Sequence, residues 1–172
     1  MESETNVQQN IYAVFLDASG TLLQSSVSNA IGVQVYADAK DILNAFKIRK
    51  INNISIKTGI ITNWGNRIHG MLRALQVDQL FDIVISADTI QKTKPDPMVF
   101  QYACSCLGID LQKAIHVGDS LTDDALGAQK AGLHGIWLKR GRYLPEEAGL
   151  LIHPYFSNLN ETFKFIQDKI IL

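Results

Sequence analysis

Five short apolar runs punctuate this chain: Tyr12–Leu16, Gly59–Ile61, Ile83–Ile85, Ile115–Val117 and Gly135–Leu138. Runs that are apolar throughout, rather than at every second residue, suit strands covered on both faces. Between them lie stretches with helical periodicity. Ala39, Ile42, Leu43 and Phe46 make one stripe; Ile68, Met71, Leu72 and Leu75 make a second. Phe100, Ala103, Cys104 and Leu107 make a third, and Leu159, Phe163, Ile166 and Ile170 a fourth. Such alternation predicts βαβ units: an α/β fold with a central parallel sheet and helices on both faces. With 172 residues, 47% of them hydrophobic, the chain can bury the core of one domain. Residues 11–172 read as that domain, with no linker and no inserted cap, and residues 1–10 as a flexible tail. Leu23–Val35 shows no sustained period, and Lys139–Gly149 reads as a surface loop.

Charge narrows the partners. A formal net charge of −1 gives no broad attraction to nucleic acid or anionic lipid. Two local basic groups, Lys47, Arg49, Lys50 and Lys139, Arg140, Arg142, read as solvated helix-end and loop charges. Met1–Asn10 lacks the basic and apolar regions of a secretion signal, and no apolar run nears the ~20 residues of a membrane helix. Cys104 falls on a core stripe, while Cys106 points elsewhere on the same helix, so the pair makes a poor metal clamp. A cytoplasmic protein is the expectation.

Polar residues gather where the strand runs end. Asp17 follows the first run directly, and the small residues after it permit a sharp turn that aims backbone N–H groups at an anion. Thr62-Asn63 follows the second; it either caps the next helix or offers a hydroxyl and an N–H to a phosphoryl oxygen. In Lys94-Pro95-Asp96-Pro97, Asp96 and Pro97 are a helix start and Lys94 is placed just before it to neutralise phosphate. Lys92 reads as a surface lysine. Gly118-Asp119-Ser120 with Asp124 ends the fourth run and opens a helix, with oxygen donors suited to Mg²⁺. In an open parallel sheet these ends meet at one crevice. There Asp17, Asp119 and Asp124 contribute −3, and Lys94 with one Mg²⁺ contributes +3, so the site balances with a divalent ion. His116, inside an apolar run, reads as a satisfied core residue. His69, His134 and His153 have no partner visible from spacing.

Taken in order, Asp17-x-Ser19-Gly20-Thr21-Leu22, Ile60-Ile61-Thr62-Asn63, Lys94-Pro95-Asp96-Pro97 and Gly118-Asp119-Ser120-x-x-x-Asp124 resemble the four motifs of the haloacid dehalogenase-like superfamily. The resemblance spans roughly Tyr12 to Leu138. It implies a Rossmann-like three-layer sandwich and a Mg²⁺-dependent phosphatase working through an aspartyl-phosphate. Asp17 would be the nucleophile; Thr62, Asn63 and Lys94 would hold the phosphoryl group. Asp17, Asp119, Asp124 and the backbone carbonyl of Ser19 would hold Mg²⁺.

Two departures shape the expected function. Phosphatases of this superfamily usually carry Asp where Ser19 stands, to protonate the leaving group and activate water. Losing such help costs about 10²–10⁴ in rate. Asp17 and Thr62 are also only 45 positions apart, room for a small flap in Leu23–Val35 but not for a cap domain. An open site of this kind suits a phosphorylated macromolecule, or a lid supplied by a second copy of the chain. Two alternatives follow: an impaired relative that binds a phosphorylated ligand or protein, and a 2-haloacid dehalogenase, whose halide leaves without protonation.

Overall fold

The computed structural model describes residues 10–141 and 144–170, with the backbone alone for 169 and 170. The expected tail, apart from Asn10, and Arg142 therefore lie outside the described residues. In chain order the strands are β1 (Ala13–Leu16), β2 (Leu23–Ser25), β3 (Val33–Val35), β4 (Lys50–Ile51), β5 (Ile54–Ser55), β6 (Lys57–Ile61), β7 (Ile83–Ile85), β8 (Ala114–Gly118) and β9 (His134–Trp137). The α-helices are α1 (Lys40–Ile48), α2 (Arg67–Ala74), α3 (Ala87–Ile90), α4 (Pro97–Leu107), α5 (Gly127–Ala131) and α6 (Leu159–Ile170).

The five apolar runs pair in one parallel sheet of order β7-β6-β1-β8-β9. Successive residues of β1 face opposite ways, and the two hydrophobic layers divide accordingly. Val14 and Leu16 pack with Ile42 and Phe46 of α1, Ile68 and Leu72 of α2, and Leu159 and Ile166 of α6. Ala13 and Phe15 pack with Val99, Phe100 and Cys104 of α4 and Ala128 of α5. The result is the expected α/β three-layer sandwich. Phe15 and Phe100 are both fully buried; truncating either to Ala would cost about 3–5 kcal/mol.

The structure corrects several local expectations. Leu23–Val35 is not irregular throughout: β2 and β3 pair antiparallel, and the connecting turn leaves Val27 fully exposed. A second hairpin joins β4 and β5 through Asn52 and Asn53, with φ of 49° and 67°. Two asparagines tolerating positive φ are a recognised hairpin signal. Glu146–Leu150, at the end of the expected surface loop and one residue past it, forms a short 3₁₀ turn.

Nor are both basic groups merely solvated. Arg49 bonds Thr58 and the Leu80 carbonyl and pairs with Asp82 at 3.2 Å. Arg140 pairs with Asp38 at 2.8 Å and is only 20% exposed. His134 and His153, unpartnered by spacing, are bonded to each other at 2.8 Å.

Candidate active site

The sheet is parallel, so every strand delivers its following loop to the same edge. Asp17 leaves β1 there, its N–H bonded to the Val117 carbonyl of β8 at 2.8 Å. The turn then folds back on itself: Ala18 O accepts from Leu22 and Leu23, and Gly20 N–H donates to Leu23 O. None of these bonds uses the Ser19 carbonyl, and the Ser19 side chain is exposed.

Two glycines of this edge exist to make room. Gly20 has φ +77°, and a Cβ there would lie 2.2 Å from Asp119 Oδ2. A Cβ on Gly118 would lie 2.0 Å from Asp124 Cγ. Each absent side chain is filled by a carboxylate, in the first case from a loop 99 positions away and in the second from the turn that follows directly.

Lys94 is the hub. Its Nζ donates to Asp17 Oδ1 at 2.6 Å, to Asp124 Oδ1 at 2.5 Å and to the Ile61 carbonyl at 2.8 Å, and the residue is 4% exposed. Its backbone is gripped by Asn63, whose Oδ1 accepts from Lys94 N–H at 2.7 Å while Nδ2 donates to Lys94 O at 3.1 Å. The Asn63 side chain is thus committed to positioning Lys94; what it can still offer a phosphoryl group is its N–H. Thr62 is buried, and its Oγ1 accepts from Trp64 N–H at 3.2 Å, leaving the hydroxyl proton to donate. Asp96 accepts from Met98 N–H and Pro97 opens α4, as expected, and Lys92 pairs with Asp96.

Asp124 lies in a wide π-helical turn, Leu121–Leu126, just ahead of α5. Its Oδ2 accepts from Ser120 N–H at 3.0 Å. Its Oδ1 takes a further bond from His116 Nε2 at 2.9 Å. His116 is therefore not a plain core residue: it is fully buried, reaches the site from β8, and leaves Nδ1 without a partner among the described residues. A histidine within an apolar run gives no sign of this, because its partner arrives only with the turn eight residues later.

Charge and burial pull the three acids apart. Burial, helped by the neighbouring Asp124 and Asp119, outweighs Lys94 and pushes the Asp17 carboxyl up to about 7. Burial also opposes ionisation of Asp124, but Lys94 and the His116 bond overcome it and hold that carboxyl below the usual range. Asp119 is raised by burial and by Asp124. For Lys94, burial would favour loss of the proton, yet Asp17 and Asp124 prevail and keep the ammonium charged. Burial lowers His116, so its imidazole is neutral and donates through Nε2.

One ligand atom from each of Asp17, Asp119 and Asp124 lies within 4.8 Å of the others. Lys94 offsets one of their three charges. The remainder, hard oxygen donors with −2 to compensate, fits Mg²⁺. The structure thus brings Asp17, Ser19, Thr62, Asn63, Lys94, Asp119 and Asp124 to one edge.

Residues 12–138 match the family model described as haloacid dehalogenase-like hydrolase. Among curated relatives, the chain is 34% identical over 111 residues to glyceraldehyde 3-phosphate phosphatase of Pyrococcus abyssi, covering 62% of this chain and 46% of the relative. It is 26% identical over 107 residues to haloacid dehalogenase-like hydrolase domain-containing protein 3 of Danio rerio, covering 62% and 42%. The chain thus spans less than half the length of these relatives. Among solved structures, a HAD phosphatase from Thermococcus onnurineus superposes with a TM-score of 0.78 at 20% identity, covering 91% of this chain and 98% of that one. A 2-haloacid dehalogenase from Pseudomonas syringae superposes with a TM-score of 0.72 at 19% identity, covering 92% and 99%. Identities this low bear on the fold alone. Within the described residues, no helix is long and apolar enough to cross a membrane. The match across residues 12–138, over a sheet edge built from the same four loops, places the chain in the haloacid dehalogenase-like hydrolase family.

Proposed function

We propose that this chain is a Mg²⁺-dependent cytoplasmic phosphatase that works through an aspartyl-phosphate on Asp17. The observation that carries this reading is the approach of Asp17, Asp119 and Asp124 to within 4.8 Å, bridged by a buried lysine. Asp17, Asp119 and the Ser19 carbonyl would hold the ion, with Asp124 binding directly or through water. Bound there, Mg²⁺ would neutralise charge developing on the phosphoryl oxygens.

The chain's own groups do the rest. Thr62 Oγ1, the Asn63 N–H and Lys94 Nζ hold the phosphoryl oxygens. Asp17 Oδ2 forms a bond to phosphorus as the bond to the leaving oxygen breaks. Ser19 cannot supply a proton near neutral pH, so the leaving oxygen draws one from water or departs as a stable anion. Water then attacks phosphorus, inorganic phosphate leaves, and the Asp17 carboxylate is restored. This favours substrates with good leaving groups, such as acyl phosphates. The open edge suits a phosphorylated macromolecule, or a lid borrowed from a second copy.

Ser19 is also the observation behind a second reading, an impaired relative that binds a phosphorylated ligand or protein without turning it over. Hydrolysis of p-nitrophenyl phosphate decides between them. Asp17→Asn should abolish Mg²⁺-dependent turnover, and Ser19→Asp should raise it about 10²-fold. Beryllofluoride with Mg²⁺ should raise the melting temperature of the unsubstituted protein and not of Asp17→Asn. No gain from Ser19→Asp together with no Mg²⁺ binding would favour the second reading, and halide release from 2-haloacids in EDTA would install dehalogenation instead.

A further inference from the structure

Arg140 lies beyond β9 and is given no part in the proposed chemistry, yet its guanidinium reaches into the turn behind the nucleophile. Nε donates to the Gly20 carbonyl at 2.8 Å and Nη2 to the Thr21 carbonyl at 3.0 Å. The fork also binds Asp38 through both nitrogens, at 2.8 and 3.1 Å. The Tyr36 ring packs against the plane at 3.8 Å. Asp38 is itself held by Leu159 N–H of α6 at 2.8 Å. Five contacts on one planar group, from partners over a hundred positions away in sequence, leave it a single orientation.

The same stretch of chain grips the opposite loop. Trp137 Nε1 donates to the Asp119 carbonyl at 2.9 Å, and Leu138 N–H to the Gly118 carbonyl at 2.8 Å. Residues 137–140 therefore hold the first loop with one end and the fourth with the other. Between them Gly20 and Asp119 interlock with no space for a methyl group. The peptide plane that carries the Ser19 carbonyl is held by Gly20 N–H donating to Leu23 O at 2.8 Å, and Arg140 holds the carbonyls of the two planes that follow it.

We propose that Arg140 is a positioning residue for the cation site: it sets the Ser19 carbonyl and the Asp17 turn against Asp119. The inference rests on the proposed Mg²⁺ chemistry, and its test is chosen to separate the two. Lysine could not replace it, since an ammonium lacks the planar fork that binds two carbonyls and a carboxylate together.

The experiment uses the full chain, unsubstituted and as Arg140→Met, Arg140→Lys and Asp38→Asn. Mg²⁺ affinity is measured by calorimetric titration, and amide hydrogen exchange over residues 18–22 is followed without metal. Arg140→Met should weaken Mg²⁺ by roughly ten- to a hundredfold, the usual cost of losing a residue that orients a ligand. It should speed exchange over 18–22 and lower kcat on p-nitrophenyl phosphate with KM little changed. Arg140→Lys should not rescue it. Should Arg140→Met fail to fold, Asp38→Asn decides, because it keeps the carbonyl bonds while loosening the fork. A weaker metal affinity and faster exchange support the proposal; both unchanged overturn it. A lower melting temperature with unaltered Mg²⁺ affinity and exchange also overturns it, leaving Arg140 a fold staple. If the unsubstituted protein takes no Mg²⁺, the proposed chemistry fails, while exchange over 18–22 still reports whether Arg140 holds the turn.

Discussion

The two ends of the sheet make an instructive pair. At the ends where the strands begin, a groove of about 940 Å³ runs past Tyr12, Ser105, Gln112 and Lys113. It is roomy, but its charges are ordinary: Lys113 pairs with exposed Asp110 at 3.3 Å and lies over the Tyr12 ring. At the ends where the strands finish, buried Asp17, Asp124 and Lys94 crowd together, and two glycines give way to carboxylates. Among the described residues, the buried ionisable groups gather at the second end, an arrangement that destabilises an apolar fold and that folding alone would not select. The end at which the proposed chemistry falls is marked by concentrated buried charge, and the larger volume lies elsewhere.

The sharpest way to break that contrast is Lys94→Met. Removing the cation leaves two buried carboxylates facing each other, and such losses cost about 3–5 kcal/mol. The substitution should lower the denaturation midpoint accordingly and end phosphate ester hydrolysis. A stability within 1 kcal/mol of the unsubstituted chain, on the order of a surface change, would deny that this end is strained.

A smaller effect comes from pH. Asp17 ionises at about 7 in the fold against an ordinary 3.8. Its folded-state pKa is raised, so its contribution is fully present below about pH 4 and is lost as pH climbs through 7. Asp119, also raised, acts in the same direction. Asp124 is depressed, and its contribution disappears only on acidification below the ordinary carboxylate range. His116, lowered by burial, acts in the opposite direction below its ordinary 6.5, so metal-free protein should melt at lower temperature as pH rises from 6.5 through 7 and level off above that. Mg²⁺ should reverse the trend, with its affinity rising about tenfold between pH 6 and pH 8. A metal-induced shift independent of pH would contradict the raised Asp17.

The smallest effect belongs to the other end. Lys113→Ala removes an exposed pair and should change stability by less than about 0.5 kcal/mol. Turnover should be unaltered. A loss of turnover would give the large groove a role that its charges do not suggest.

The sheet was legible because strands covered on both sides leave unbroken apolar runs. The four loops were legible because each polar cluster sits directly after such a run. What escaped the sequence depended on partners far along the chain. Arg140 looks like any loop arginine until Asp38, 102 positions earlier in the chain, comes within 2.8 Å. His116 is camouflaged by its apolar neighbours. Asn63 suggested a cap or an anion contact, and only the position of the later loop reveals what its amide binds. The β2–β3 hairpin went unseen because strands of three residues are too short to show alternation.

That last amide has a consequence for timing. A lysine side chain ordinarily explores many rotamers, freedom worth about 2 kcal/mol. Here Asn63 pins the main chain on both its N–H and its carbonyl, and Asp17, Asp124 and Ile61 pin the tip. The search is over before any substrate arrives. A chain that kept the lysine but lost the amide could retain the same average geometry and still visit it for a smaller share of each second.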